Sequence, residues 1–144
     1  MVRNGIYLLD TNIVSEGGKI NPNPKIAKKL DILADSCKLS TITWYEIQKG
    51  IKRLPDGKEK DFLLAYAEEQ IAAIYDFIPY TKECAEIQSE MYAKLASGGM
   101  TAPYQDSQIA ATALAYNLIL VTRNIKDFEG IAEFFPLKLE NWFE

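Results

Sequence analysis

Five short apolar runs alternate with stretches of helical spacing along this chain, and that alternation admits few folds. Ile6 to Leu9, Leu39 to Thr43, Ile74 to Tyr80, Leu118 to Thr122 and the weaker Leu137-Lys138-Leu139 read as strands. Between them, Ile26, Leu30 and Leu33 share one face of a helix starting near Pro24, and Trp44, Ile47, Ile51 and Leu54 form the stripe of a second. Phe62, Tyr66 and Ile71 belong to a third, opened by the Pro55-Asp56-Gly57 turn. Cys84, Ile87, Met91 and Leu95 mark a fourth that stops before Gly98-Gly99. The alanine-rich stretch from Pro103 to Tyr116 forms a fifth, able to approach a sheet closely.

Strands joined through helices imply crossovers and a mainly parallel sheet covered on both faces. The expected fold is α/β, a three-layer α/β/α sandwich, with residues 1–144 forming a single domain. Sheets of this kind place ligands outside the carboxyl ends of their strands. Functional side chains are therefore expected where an apolar run gives way to a helix.

Composition then narrows the chemistry. The sequence contains no histidine, which excludes Ser-His-Asp and Cys-His nucleophilic catalysis and histidine-paired cleavage of RNA. A hydrolase built from this chain must rely on carboxylates and a hard cation. The net charge of −4 weighs against a non-specific nucleic-acid binder but allows a basic strip beside an acidic site. Cys37 and Cys84 read as buried thiols of a reducing cytoplasm. No apolar run approaches the ~20 residues of a membrane span, and the opening MVRNGIYLLD is not expected to act as a secretory signal.

Four acids meet the geometric expectation: Asp10 closes the first run, Glu46 follows the second, Asp106 lies just after Pro103, and Asp127 follows the fourth run. Three also have an ordinary structural reading. Glu46, third after Thr43, completes a capping box; Asn124 and Asp127 repeat that spacing; Asp106 is a first-turn acid. Asp10 resists this, because an aspartate ending a buried strand is costly without partners. Acids converging on one sheet edge repel unless a cation neutralises them, and an oxygen-only set is what Mg2+ or Mn2+ prefers. Lys49 and Arg53 fall on the same side of their helix as Glu46, and Arg123 and Lys126 flank Asn124 and Asp127. Both pairs read either as phosphate contacts or as solvated charges. Tyr45 and Tyr104 either stack on a base or pack into the protein.

At these residues the sequence resembles the PIN-domain family, particularly its VapC-like toxin branch. Tyr7 to Asn12 (YLLDTN) is similar to the first acidic motif, Ser40 to Gly50 (STITWYEIQKG) to the second, Ala102 to Ala113 (APYQDSQIAATA) to the third, and Leu120 to Phe128 (LVTRNIKDF) to the fourth. The tail Pro136 to Phe143 also fits. No single motif is specific, but the ordered set spans most of the chain. The resemblance implies a usually dimeric ribonuclease that uses Mg2+ or Mn2+, blocked by a cognate antitoxin beside its site. It carries over Asp10, Asp106 and Glu46 as metal-holding catalytic acids, with Thr11 supporting Asp10. Asn124 and Asp127 share the fourth position, as ligand and supporting residue in either order.

Two rivals remain open. One is a haloacid-dehalogenase-like phosphatase with Asp10 as nucleophile, which wants a second carboxylate where this chain has Asn12. The other is a non-catalytic, partner-binding PIN-like domain. No G-x-G-x-x-G follows a strand, and no P-loop motif is present.

Overall fold

The computed structural model describes residues 6–144. Five strands form one sheet: β1 Tyr7–Leu9, β2 Cys37–Ser40, β3 Asp76–Ile78, β4 Ile119–Val121 and β5 Leu139–Glu140. Their order is β3-β2-β1-β4-β5 and every pairing is parallel. The order reverses at β1, which pairs with β2 on one side and β4 on the other. The crevice at the carboxyl ends of β1 and β4 is therefore the topological switch point, where open α/β sheets bind ligands.

The strands differ in bounds from the apolar runs that suggested them: β2 starts two residues before Leu39, and Thr41 to Thr43 belong to the following helix, which Ser40 caps. Ile74 to Tyr80 contributes only Asp76–Ile78, and Ile74 stays exposed, because pairing with β2 stops at three residues. Within each strand the side chains alternate between faces. Leu9, Leu39 and Val121 join one core with Ile13, Ile26, Ile47, Ile51 and Ile71. Leu8 and Leu120 join the other with Met91, Ile109, Phe128 and Ile131. The first core lies under α1 (Thr11–Val14), α2 (Pro24–Leu33), α3 (Thr41–Lys52) and α4 (Lys58–Tyr66), and the second under α5 (Lys82–Ser97), α6 (Tyr104–Ala115) and α7 (Ile125–Phe134). This is the expected three-layer α/β/α sandwich.

Local chemistry explains the helix boundaries. Asn23 caps α2, its side chain accepting from the Lys25 and Ile26 amides, with Pro24 at the first helical position. Helix α4 runs on into a π-type turn, Ala67–Ala72, which buries Ala67 and Ile71. Phe62, expected on its buried stripe, is instead exposed. Ala110, Ala111 and Ala113 are fully buried, so α6 lies close against its neighbours. Cys37 and Cys84 are free and buried. Among the described residues no helix is long and apolar enough to cross a membrane.

Candidate active site

Asp10 leaves β1 at the switch point with only 9% of its surface exposed. Three donors hold its carboxylate. The Thr11 amide donates to Oδ1 at 2.8 Å, the Thr122 hydroxyl to Oδ2 at 2.8 Å, and the Asn12 side-chain amide to Oδ2 at 3.4 Å. Thr122, wholly buried, follows β4 directly, so its bond to Asp10 spans the crevice between the two central strands. The Asn12 carbonyl in turn accepts from the Arg123 amide at 3.1 Å, and the Thr122 hydroxyl accepts from the Asn124 amide at 3.1 Å. The start of α1 and the loop after β4 are thereby locked together around one carboxylate.

Glu46 approaches from α3. The capping-box reading does not hold: Ser40 caps this helix, accepting from the Ile42 amide at 3.0 Å, which puts Glu46 beyond the first turn. Thr43 is a buried residue within the helix. The Thr11 hydroxyl donates to Glu46 Oε1 at 3.4 Å, so Thr11 supports Asp10 through its backbone and Glu46 through its side chain.

Asp106 arrives by a route the apolar runs did not suggest. It follows no strand; it sits in the first turn of α6, after the turn that joins α5 to α6. Asp127 is in the first turn of α7. The Asn124 side chain makes no cap bond there, and the link between the two is the Asp127 amide donating to the Asn124 carbonyl at 3.0 Å.

Electrostatics bind these acids into one group. Burial first, then the charges of Asp10 and Asp127, push Asp106 up to about 6. Burial also raises Asp10, opposed by its Thr122 and Thr11 bonds and reinforced by Asp127. Glu46 is raised by burial, then by Asp10 and Asp106. Carboxylates that raise one another in this way feel each other's charge, and a cation placed between them would relieve it. Among the described residues no three of them close on a single point. Mg2+ does not require that, since it commonly takes one or two carboxylates and keeps its waters.

Of the candidate cations, Lys49 is close enough to Glu46 to lower its pKa. Lys49, Arg53 and Lys126 are exposed, and the Lys49 ammonium sits 5.9 Å from the Tyr45 ring centre. Arg123 is also exposed, and its guanidinium lies over the Phe143 ring at 4.3 Å. A groove of about 1000 Å³ opens beside Thr11 and Glu46, lined by Ile20, Ile51, Phe62 and Leu63 among others. Sequence reasoning missed Thr122 and Asn12 as parts of the site. The one available signal was a polar residue ending a fully apolar strand.

The comparisons with known proteins agree with this architecture. The PIN domain family model matches residues 7–133. The chain is 31% identical to toxin FitB of Neisseria gonorrhoeae, over 85% of this chain and 91% of that one. It is also 31% identical to ribonuclease VapC2 of Rickettsia felis, over 95% and 98%. The structure of FitAcB from N. gonorrhoeae superposes with a TM-score of 0.86 at 28% identity, covering 96% of this chain and 99% of that one. VapBC2 of R. felis, bound to a DNA fragment from its promoter, gives 0.80 at 29%, covering 95% and 98%. The chain belongs to the PIN-domain family, in its VapC-like branch.

Proposed function

We propose that this protein is a Mg2+- or Mn2+-dependent endoribonuclease, the toxin of a toxin–antitoxin pair. The observation that carries the reading is that Thr11 bonds both Asp10 at the switch point and Glu46, while Asp106 is pushed up to about 6 by burial and then by Asp10 and Asp127. In a chain without histidine, acid–base work there falls to these carboxylates and to a bound cation. The names of its relatives, ribonuclease and toxin, support the same activity.

In this reading Asp10 and Asp106 hold the principal cation, Glu46 orients the attacking water, and Asp127 completes the set with Asn124 beside it. When bound, the ion supplies a more acidic water and polarises the scissile phosphate. The protein's own part is positional. Thr122, Asn12 and the Thr11 amide fix the Asp10 carboxylate, and the Thr11 hydroxyl fixes Glu46. Lys49, Arg53, Arg123 and Lys126 hold the RNA backbone. The phosphatase alternative loses ground at Asn12, whose amide is committed to Asp10 and the Arg123 backbone rather than to proton transfer.

The groove beside Glu46 offers an antitoxin a mainly apolar seat next to that acid, and toxin FitB is among the relatives of this chain. A homodimer working on cytoplasmic RNA completes the proposal. The test is cleavage of RNA by purified protein with Mg2+, Mn2+ or a chelator. Cleavage should require the metal, and Asp10→Asn should abolish it without changing the thermal melt. Parent-rate cleavage by that variant, with contaminating nuclease excluded, overturns the assignment.

A further inference from the structure

Tyr45 and Tyr104 are large aromatic side chains that the fold leaves in water, 57% and 72% exposed. The packing role open to them in sequence does not describe either one. They come from different elements, Tyr45 from the second turn of α3 and Tyr104 from the start of α6. Together they line one cleft of about 340 Å³, with Thr41, Ile42, Gln105 and Gln108 completing it. Each tyrosine is tied in sequence to an acid of the site: Glu46 follows Tyr45 directly, and Asp106 lies two residues after Tyr104. The cleft lies between the starts of α3 and α6, the two helices that carry Glu46 and Asp106.

We infer that this cleft is a nucleobase subsite, in which a base next to the scissile phosphate stacks on Tyr45 or Tyr104. The inference rests on the ribonuclease reading above and deepens it by naming where the RNA is gripped. The chemistry of the lining favours a base over an aliphatic side chain. Two phenol rings offer flat π faces, Gln105 and Gln108 offer amides to a base edge, and one half-buried isoleucine is the only aliphatic side chain. The Lys49 ammonium lies over the Tyr45 ring, 5.9 Å from its centre, so a cation stands at hand for the phosphate of a nucleotide bound in the cleft. Single-stranded RNA is the substrate class that fits, since a paired base cannot present its face to a side chain.

The test uses an oligoribonucleotide carrying one abasic site, moved along the strand, with binding read in the presence of a chelator and cleavage of the matching RNA read with Mg2+. The parent protein should lose roughly tenfold or more in affinity when the abasic site falls at one position flanking the cleavage point. Tyr45→Leu with Tyr104→Leu should remove that dependence, and the two Phe variants should restore it. Equal binding of every abasic strand by the parent, or an unaltered profile in the Leu variant, overturns the subsite. So does a Leu variant whose main change is a shift in dimer mass by sedimentation, which would make this face a contact between copies. If the parent shows the position-dependent binding but cleaves no RNA under any metal, the subsite stands and the nuclease reading falls.

Discussion

The Thr122 hydroxyl donates to Asp10 Oδ2 at 2.8 Å across the two strands that flank the switch point, with Thr122 wholly buried and Asp10 nearly so. That bond fixes the orientation of the acid on which the proposed chemistry depends. Thr122→Val keeps the shape and removes the donor. It should lower metal-dependent cleavage by about 10- to 100-fold, as loss of a partner behind a ligand does, and cost about 1–2 kcal/mol of stability. Thr122→Ser should retain most of both. A valine variant with parental metal affinity and rate would deny the bond its positioning role.

Asp106 gives the site a pH signature. In the folded protein burial, Asp10 and Asp127 hold it near 6, against an ordinary value of 3.8. Between those values the folded state binds more protons than the unfolded one, so metal-free stability falls as pH rises from about 4 to 6 and stays reduced above that. Asp106 is partly solvated, which limits the effect to about 1 kcal/mol. Asp106→Asn should therefore melt higher than the parent at pH 7.5 without metal, an advantage that vanishes near pH 4. Added Mn2+ should reverse the ranking by raising only the parent. Scanning calorimetry at both pH values, with and without Mn2+, checks the sign.

Asp10 stands out in sequence because a carboxylate ending a buried strand is costly without partners, whereas Glu46 also reads as part of a capping box until Ser40 is seen to cap α3. Thr122 was hidden because a threonine ending Leu118 to Thr122 looks like one more β-branched strand residue. Its role exists only because β4 pairs with β1, a contact between segments more than a hundred residues apart. Asp106 was found by spacing from Pro103, yet its route through the turn between α5 and α6 depends on how those two helices pack. Exposure was misjudged in the same way. Phe62 and Tyr104 are as apolar in sequence as any core residue, and only the packed neighbours decide which face is covered.

Close packing beside the groove makes Gly17 sensitive. A Cβ there would clash with the Tyr66 hydroxyl oxygen, and that hydroxyl donates to the Val14 carbonyl at 3.1 Å. Gly17→Ala should cost about 1–3 kcal/mol as Tyr66 is displaced. Combining it with Tyr66→Phe removes the oxygen that clashes, so the double variant should be more stable than the sum of the two single losses. Strict additivity in urea melts would show that Tyr66 is not what Gly17 accommodates.

The cations flanking the acids can be counted by salt. If Lys49, Arg53 and Lys126 each neutralise one phosphate of single-stranded RNA, log Kd should vary with log salt concentration in proportion to the number of contacts, at about 0.7 per phosphate. Each alanine substitution should then flatten the slope by about 0.7 and weaken binding to the same degree on every sequence. Arg123 should behave differently. Its guanidinium rests on Phe143, so Arg123→Ala removes a stacking partner of the tail as well as a charge. That variant should lower the melting temperature along with the salt slope, whereas Lys126→Ala should change only the slope. Binding titrations from 50 to about 200 mM salt, paired with thermal melts, separate the two kinds of cation.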